Sequence, residues 1–421
     1  MSAEVVILTI IVFFLIIGCH EWGHFFFAKR AGILVREFAI GFGPKLFSVK
    51  KNETRYTLRL LPAGGFVRMA GEDPEVVEIQ TGQTIAVSVE NGEVTRLYVD
   101  KLDQRMGVVK GTVEHIDLEH KLSVTLDVDG ETQTYKIHPR AEIVRMGKEE
   151  QIAPWDRQFA SKTVGQRSMT IFAGPMMNFI LAVVLFFAFV YLNGVPVENP
   201  TYLQIGHVVE DTPAEKAGLK DNDIVYEVNG ERIGADSDKL IEIIAASPNQ
   251  EMKWIVIRDG KHIPLTVTPE LKEGKGVIGI HIVKPTRTPS FGEAVGLTKD
   301  MIVTSTEQIF IGLKMLVTLQ FTLDDLGGPV RVVEFTGEAA SMGINTLVYW
   351  TALLSLYLGI FNLLPFPALD GSRLVFLGLE AVRGKPIDPS KESMVHFIGF
   401  AMLMLLMLAV TYNDILRLFN G

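Results

Sequence analysis

The sequence predicts a multi-span α-helical membrane protein: four transmembrane helices, with β-rich modules in the loops between them. Three observations carry that expectation. Four stretches, 5–28, 171–192, 344–364 and 393–413, are apolar over roughly the 20 residues that a helix needs to cross a hydrocarbon core of ~30 Å. The 421 residues are 48% hydrophobic and only 21% charged, which excludes a disordered chain. The loops carry alternating apolar runs broken by Asn-Gly and Asp-Gly, the pattern of half-buried strands joined by tight turns.

Charge placement gives the expected orientation. The net charge of −9 lacks the basic balance that a phosphate backbone attracts, so nucleic acid is not an expected partner. Residues 29–59 carry eight Lys and Arg and 373–391 carry four, whereas 195–215 carries none. By the positive-inside rule, 29–170 and 365–392 are expected in the cytoplasm and 195–343 outside, with both termini extracytoplasmic. The single cysteine, Cys19, excludes internal disulfides and any cysteine-based zinc cluster.

Taken in order, residues 1–28 form the first span. Its leading residues carry no Lys or Arg and its positive charges Lys29 and Arg30 follow the apolar run, the reverse of a secretory signal, so it is expected to be retained. In the cytoplasmic segment 29–82, residues 54–71 alternate as two short strands around Pro62-Ala63-Gly64-Gly65, an amphipathic hairpin expected at the bilayer edge or within a soluble module. Residues 83–145 read as a cytoplasmic β-rich insertion, with turns at Asn91-Gly92 and Asp129-Gly130, and 146–170 as a connector. The second span occupies 171–194. Residues 195–285 read as a compact extracytoplasmic α+β module: strands near 203–209, 254–258 and 263–267, a helix at 238–246 and a turn at Asn229-Gly230. Residues 286–343 read as interfacial helices, since the apolar run 309–319 is short and contains Lys314. The third span, 344–372, the connection 373–392 and the fourth span with its tail, 393–421, complete the chain.

The chemistry lies in the first and third spans. His20-Glu21-Trp22-Gly23-His24 is an HExxH motif, and on a helix its two histidines stand about 40° apart in azimuth. Both imidazoles can reach one ion, with Glu21 beside them as a base for water. An ionisable residue inside a membrane helix is expensive and is a functional hypothesis by default. A catalytic zinc needs three protein ligands, and no HExxHxxGxxH continuation supplies the third. Asp370, in Asn362-Leu-Leu-Pro365-Phe-Pro367-Ala-Leu-Asp370-Gly371, is the candidate, because it is the only charged residue between Gly343 and Ser372. The topology agrees: spans one and three both run inward, so their C-terminal ends share a depth near the cytoplasmic side. The alternative for Asp370 is a carboxylate capping the next helix. Pro365 and Pro367 are expected to interrupt the helix and leave backbone groups open to an extended substrate. Asn362 is expected either to hold a substrate backbone group or the developing oxyanion, or to make an interhelical polar contact.

These residues, together with Gly174-Pro175-Met176-Met177-Asn178 opening the second span, resemble the site-2 protease family of intramembrane zinc metalloproteases, in its bacterial anti-sigma-factor-cleaving branch. The run Ala217-Gly218-Leu219-Lys220, Asp223-Ile224-Val225 and Val228-Asn229-Gly230 resembles a PDZ domain of the bacterial protease type, which binds extended peptides by strand addition. Its carboxylate-binding loop is expected near 202–206, where Tyr-Leu-Gln-Ile-Gly departs from Gly-Leu-Gly-Phe. The resemblance implies that His20, His24 and Asp370 bind one catalytic Zn2+ and that Glu21 is the catalytic base. It implies too that Asn362, Pro365 and Pro367 touch substrate and that 54–71 is a membrane-associated β-hairpin. It implies single-span membrane substrates, trimmed beforehand by another protease, while many members lack an insertion like 83–145. Two other classes compete: a peptide-binding membrane scaffold, which has no need of Glu21, and a metal transporter, which generally shows internal repeats not seen here.

Overall fold

Helix α1, Ala3–Arg30, starts at Ser2, whose hydroxyl accepts from the Val5 N–H, and its last turn holds Lys29 and Arg30, where the helix dipole favours cations. The computed structural model describes residues 2–72, 79–209, 211–318, 320 and 327–420. The chain divides into two compact units, Met1–Phe186 with Met301–Gly421, and Phe187–Asp300.

In the first unit, α1 leads into two long strands, β1 (Val35–Lys51) and β2 (Thr54–Met69). Here the pairing differs from the expected hairpin within 54–71. The reversal is at Asn52, which has a φ of 56°, and no registered pair joins 56–60 to 66–69. Both segments pair with β1 instead: Glu37–Ile40 meets Arg68–Gly65 on one side and Arg55–Leu58 on the other. Alternation identifies a strand but carries no information on its partner, and Pro62–Gly65 continues the strand rather than reversing it. The outer half leaves Phe42, Leu46, Phe47, Leu60 and Leu61 exposed.

The insertion is a six-stranded sheet of β3 (Thr84–Glu90), β4 (Glu93–Tyr98), β5 (Val109–Asp117), β6 (Ser123–Val128), β7 (Glu131–Arg145) and β8 (Lys148–Gln151). The order is β4-β3-β5-β6-β7-β8, with β4 also pairing β7 in parallel, so the sheet curls back on itself. Its core holds Ile85, Val87, Leu97, Val124, Leu126 and Ile137, each worth about 1.5–3 kcal/mol when removed from water. The expected turns stand at Asn91-Gly92 and Asp129-Gly130. The sheet extends past the expected boundary at 145, because Met146-Gly147 makes a third such turn, at φ 48° and 75°, that residue type does not announce.

Helix α2, Val164–Asn193, follows the connector and contains Pro175. In the second unit, strands Lys261–Val267, Met252–Arg258, Ile224–Val228, Leu203–Val208 and Ile280–Val283 pair antiparallel in that order. Short α3 (Pro213–Lys216) and α4 (Ser237–Ala245) accompany them, around a core of Leu203, Ile205, Leu240, Met252 and Trp254. Buried Asp223 accepts two hydrogen bonds from Arg258, both at 2.7 Å. The strand Leu203–Val208, which overlaps the stretch expected to hold the carboxylate-binding loop, has a neighbour on each edge, so among the described residues the free edges of this sheet belong to 261–267 and 280–283.

Five further helices follow: α5 (Phe291–Val317), α6 (Pro329–Ser341), α7 (Ile344–Asn362), α8 (Asp370–Arg383) and α9 (Pro389–Asn420). Among the described residues, four helical segments are long and apolar enough to cross a membrane: Ala3–Arg30, Val164–Asn193, Ile344–Asn362 and Ser390–Arg417. Of the most apolar window of each, 39% is buried in α7 and 11% in α9, so α7 is the inner helix and α9 presents most of its surface outward. Small residues bring the inner helices together. An added Cβ on Gly23 of α1 would lie 2.2 Å from Ala173 O of α2, and one on Gly359 of α7 would lie 3.3 Å from Pro175 O.

Candidate metal centre

Helix geometry puts His20 and His24 on one face of α1, one turn apart, and both are buried. Their Nε2 atoms lie 3.2 Å from each other. Asp370, the first residue of α8, completes the group: its Oδ2 is 3.2 Å from His20 Nε2 and 3.4 Å from His24 Nε2. The alternative role as a helix cap is not taken, since the cap position is Leu369 and no side chain caps it.

The donor set fits a zinc ion. Ligand bonds of about 2.0–2.1 Å in a tetrahedron set ligand atoms roughly 3.3 Å apart, which is the spacing of these three. His24 Nδ1 donates to the Thr170 carbonyl at 2.9 Å, an acceptor only, so the neutral ring keeps its Nε2 lone pair free. Asp370 Oδ2 is buried without a hydrogen-bond partner among the described residues, the condition of an atom awaiting a cation. Among the described residues, His20, His24 and Asp370 are the only group with this metal-ligand spacing.

Helix α2 supports the site from behind, through residues to which the sequence reading assigned no role. Asn178 is fully buried, and its Nδ2 lies 3.2 Å from His20 Nδ1. Its backbone carbonyl accepts from Ser355 Oγ of α7 at 2.9 Å, tying α2 to α7 at the depth of the site. Gly174 leaves room for the rings, since a Cβ there would fall 2.2 Å from His24 Nε2. The signal for both was the Gly174–Asn178 motif itself, whose spacing of four residues puts them one turn apart on α2.

Glu21 is buried and lines the same cavity as His20, His24 and Asp370. Strand β2 passes directly against it: a Cβ on Gly65 would lie 2.6 Å from Glu21 Cγ. The cavity measures about 1450 Å³, and Gly65–Met69 forms one wall. Among the described residues that stretch pairs only with β1, leaving its other edge without a strand. Farther out the cavity is lined by charged residues, including Arg373 with its partner Glu72 and Arg167 with its partner Glu380.

The segment between α7 and α8 is less uniform than its motif suggests. Asn362 lines the cavity, and its Nδ2 donates to Leu358 O on its own helix at 3.0 Å. Pro365 and Pro367 do not line it. Pro365 sits inside a tight turn closed by the Phe366 N–H donating to Leu364 O at 2.7 Å, and Pro367 packs where Gly399 of α9 leaves space. The expectation of freely open backbone here is therefore modified, because the turn satisfies part of that backbone internally.

Comparison with known proteins gives one family and full-length relatives. Residues 8–406 match the family model "Peptidase family M50". "Zinc metalloprotease RasP" of Geobacillus kaustophilus is 48% identical over 99% of this chain and 99% of its own. "Regulator of sigma-W protease RasP" of Bacillus subtilis is 44% identical over 100% of each chain. Among solved structures, the PDZ domain of an SdrC-like protein from Listeria monocytogenes is similar at 23% identity and a TM-score of 0.19, covering 21% of this chain and 94% of that one.

Proposed function

Because this chain belongs to peptidase family M50, we propose that it is a zinc-dependent endopeptidase of the site-2 protease type, cutting single-pass membrane proteins within or near their spans. The observation that carries this reading is the convergence of His20 Nε2, His24 Nε2 and Asp370 Oδ2, with Glu21 beside them in one cavity. A scaffold has no use for such a set.

In this reading His20, His24 and Asp370 hold the ion. Zinc, when bound, polarises the scissile carbonyl and acidifies the attacking water. Glu21 takes the proton from that water and returns it to the departing amine. Thr170 keeps the His24 proton on Nδ1. Asn178 serves His20 in the same way once its amide presents oxygen to Nδ1–H, which also gives its otherwise unpartnered Oδ1 a donor. An extended substrate adds along the open edge of Gly65–Met69, and this requires its helix to unwind, because a helical peptide bond keeps its carbonyl occupied. Asn362 is then placed to exchange its bond to Leu358 for one to substrate, with Pro365 and Pro367 shaping the loop beneath.

The orientation follows the charge asymmetry: the site near the cytoplasmic face, the 195–285 module and both termini outside. The exposed apolar outer half of β1 and β2 is read as dipping into the bilayer edge. The name of the B. subtilis relative ties that protein to sigma-W, and on that likeness anti-sigma factors are one expected substrate class. The PDZ-like module is read as a gate against untrimmed substrates, so another protease acts first.

One assay tests the whole reading: purified protein with a single-pass substrate, offered with and without a bulky outer domain. Wild type should bind one zinc and cut the trimmed form preferentially. Glu21→Gln should keep the zinc and lose cleavage by at least ~100-fold, the scale of a general base. His24→Ala or Asp370→Ala should lose the zinc. Full zinc in Asp370→Ala would remove Asp370 from the ligand set, and equal cleavage of both substrates would remove the gate.

A further inference from the structure

Helix α9 touches the metal centre indirectly, through a strained turn. The chain from Leu363 to Leu369 must leave α7 and deliver Asp370 to two imidazoles within 3.2 and 3.4 Å. Ala368 sits at φ 78°, the left-handed region that a residue with a Cβ avoids unless its surroundings impose it. Its N–H leaves the turn and donates to His396 Nδ1 of α9 at 3.1 Å. Three residues along α9, Gly399 admits the preceding proline: a Cβ there would stand 2.2 Å from Pro367 Cβ and 2.6 Å from Pro367 O. One polar and one steric contact from the same helix thus grip consecutive residues, two positions before the ligand.

Glu392 and Phe376 flank the His396 ring. Because Nδ1 accepts from a backbone N–H, the neutral ring carries its proton on Nε2, which faces Glu392 Oε1 at 3.7 Å, one turn back on α9. Phe376 of α8 packs edge-on against the ring, with centroids 5.7 Å apart. Among the described residues, His396 lines the same cavity as His20, His24 and Asp370 but is not in the group with metal-ligand spacing.

We propose that His396 is a positioning residue for Asp370, holding Ala368 in its left-handed conformation so that the carboxylate is presented to the ion. This rests on Asp370 being a ligand, as read above. Left to itself, Ala368 would relax toward negative φ and rotate the start of α8, moving Oδ2 away from the two imidazoles. Supporting partners of this kind are typically worth about 10–100-fold in metal affinity.

The test uses the full-length chain in detergent, with zinc affinity by chelator competition and the visible spectrum of the cobalt-substituted protein as readouts. His396→Ala should weaken zinc by roughly 10–100-fold and shift the cobalt bands, with the thermal stability of the metal-free protein unchanged. His396→Asn, whose Oδ1 can accept in place of Nδ1, should restore most of the affinity. Ala368→Gly should do little alone and should rescue His396→Ala, because glycine adopts a positive φ without a Cβ penalty. Unchanged affinity and spectrum in His396→Ala would overturn the proposal. So would a loss that neither His396→Asn nor Ala368→Gly repairs, which would mark a general structural role. Asp370→Ala run alongside separates the two readings: if it retains zinc, the ligand assignment fails; if it loses zinc while His396→Ala does not, only the positioning role fails.

Discussion

At Gly174 the site depends on an atom that is missing. A Cβ there would stand 2.2 Å from His24 Nε2 and 2.9 Å from His20 Cε1, and His24 cannot swing aside because Thr170 O holds its other nitrogen at 2.9 Å. Gly174→Ala should therefore lower zinc affinity by about 10-fold or more and abolish cleavage, while Gly165→Ala on the same helix, with open space around it, should be neutral. Chelator competition on the two variants checks this, and equal affinities would show that the rings have room to move. The same residue scale shows the limits of reading the motif. HExxH places two imidazoles on one face by helical periodicity alone, but the contact of Gly174 with them is made across 150 residues of chain.

Among the elements, the turn between β1 and β2 is the joint between the paired strands and the segments that follow them. Glu53 accepts from Arg157 at 2.5 and 2.8 Å and from Gln151 at 3.2 Å, with Arg140 at 3.3 Å, so it ties the paired strands to the connector and to the six-stranded insertion. The hydrogen bonds from Arg157 hold its carboxyl at about 2, down from the usual 4.5. A carboxyl lowered on folding contributes stability that is fully present above its unfolded value and is lost as pH falls through the folded one. Here the window runs from about 4.5 down to about 2. Thermal unfolding from pH 7 to pH 2 should show a wild-type loss below pH ~4.5 that Glu53→Gln lacks. Parallel curves would mean that the joint does not depend on the charge. Alternation and turn residues made the strands of this region legible, but the Glu53 cluster brings together residues about 100 positions apart and has no local signature.

At the scale of the whole molecule, orientation is the claim on which the reading of substrate access depends. Residues 195–343 hold 14 basic and 22 acidic residues, against 21 and 20 for 29–170, and the scarcity of Lys and Arg in the former is the bias from which the proposed orientation is drawn. With Cys19→Ser as background, single cysteines at Ser237 and Ser161 should react differently with an impermeant thiol reagent on intact cells. Ser237→Cys should label and Ser161→Cys should not. The opposite pattern would invert the topology and move the centre to the outer face.

Sequence by itself determined the local and the additive features. Four apolar segments of spanning length, the i, i+4 histidines with Glu21 between them, the Asn-Gly and Asp-Gly turns and the charge bias are each readable because hydropathy, helical period and turn chemistry act over a few residues. Asp370 was also within reach, as the lone acid of its segment, and the structure sets its Oδ2 3.2 and 3.4 Å from the two imidazoles. Tertiary structure alone decided which strand pairs with which, that the strand at 203–208 is closed on both edges, that Asn178 and Thr170 orient the imidazoles, and that His396 grips Ala368. Each of these is a contact between distant segments. Its energy depends on where packing puts the partner, and no periodicity along the chain encodes that distance.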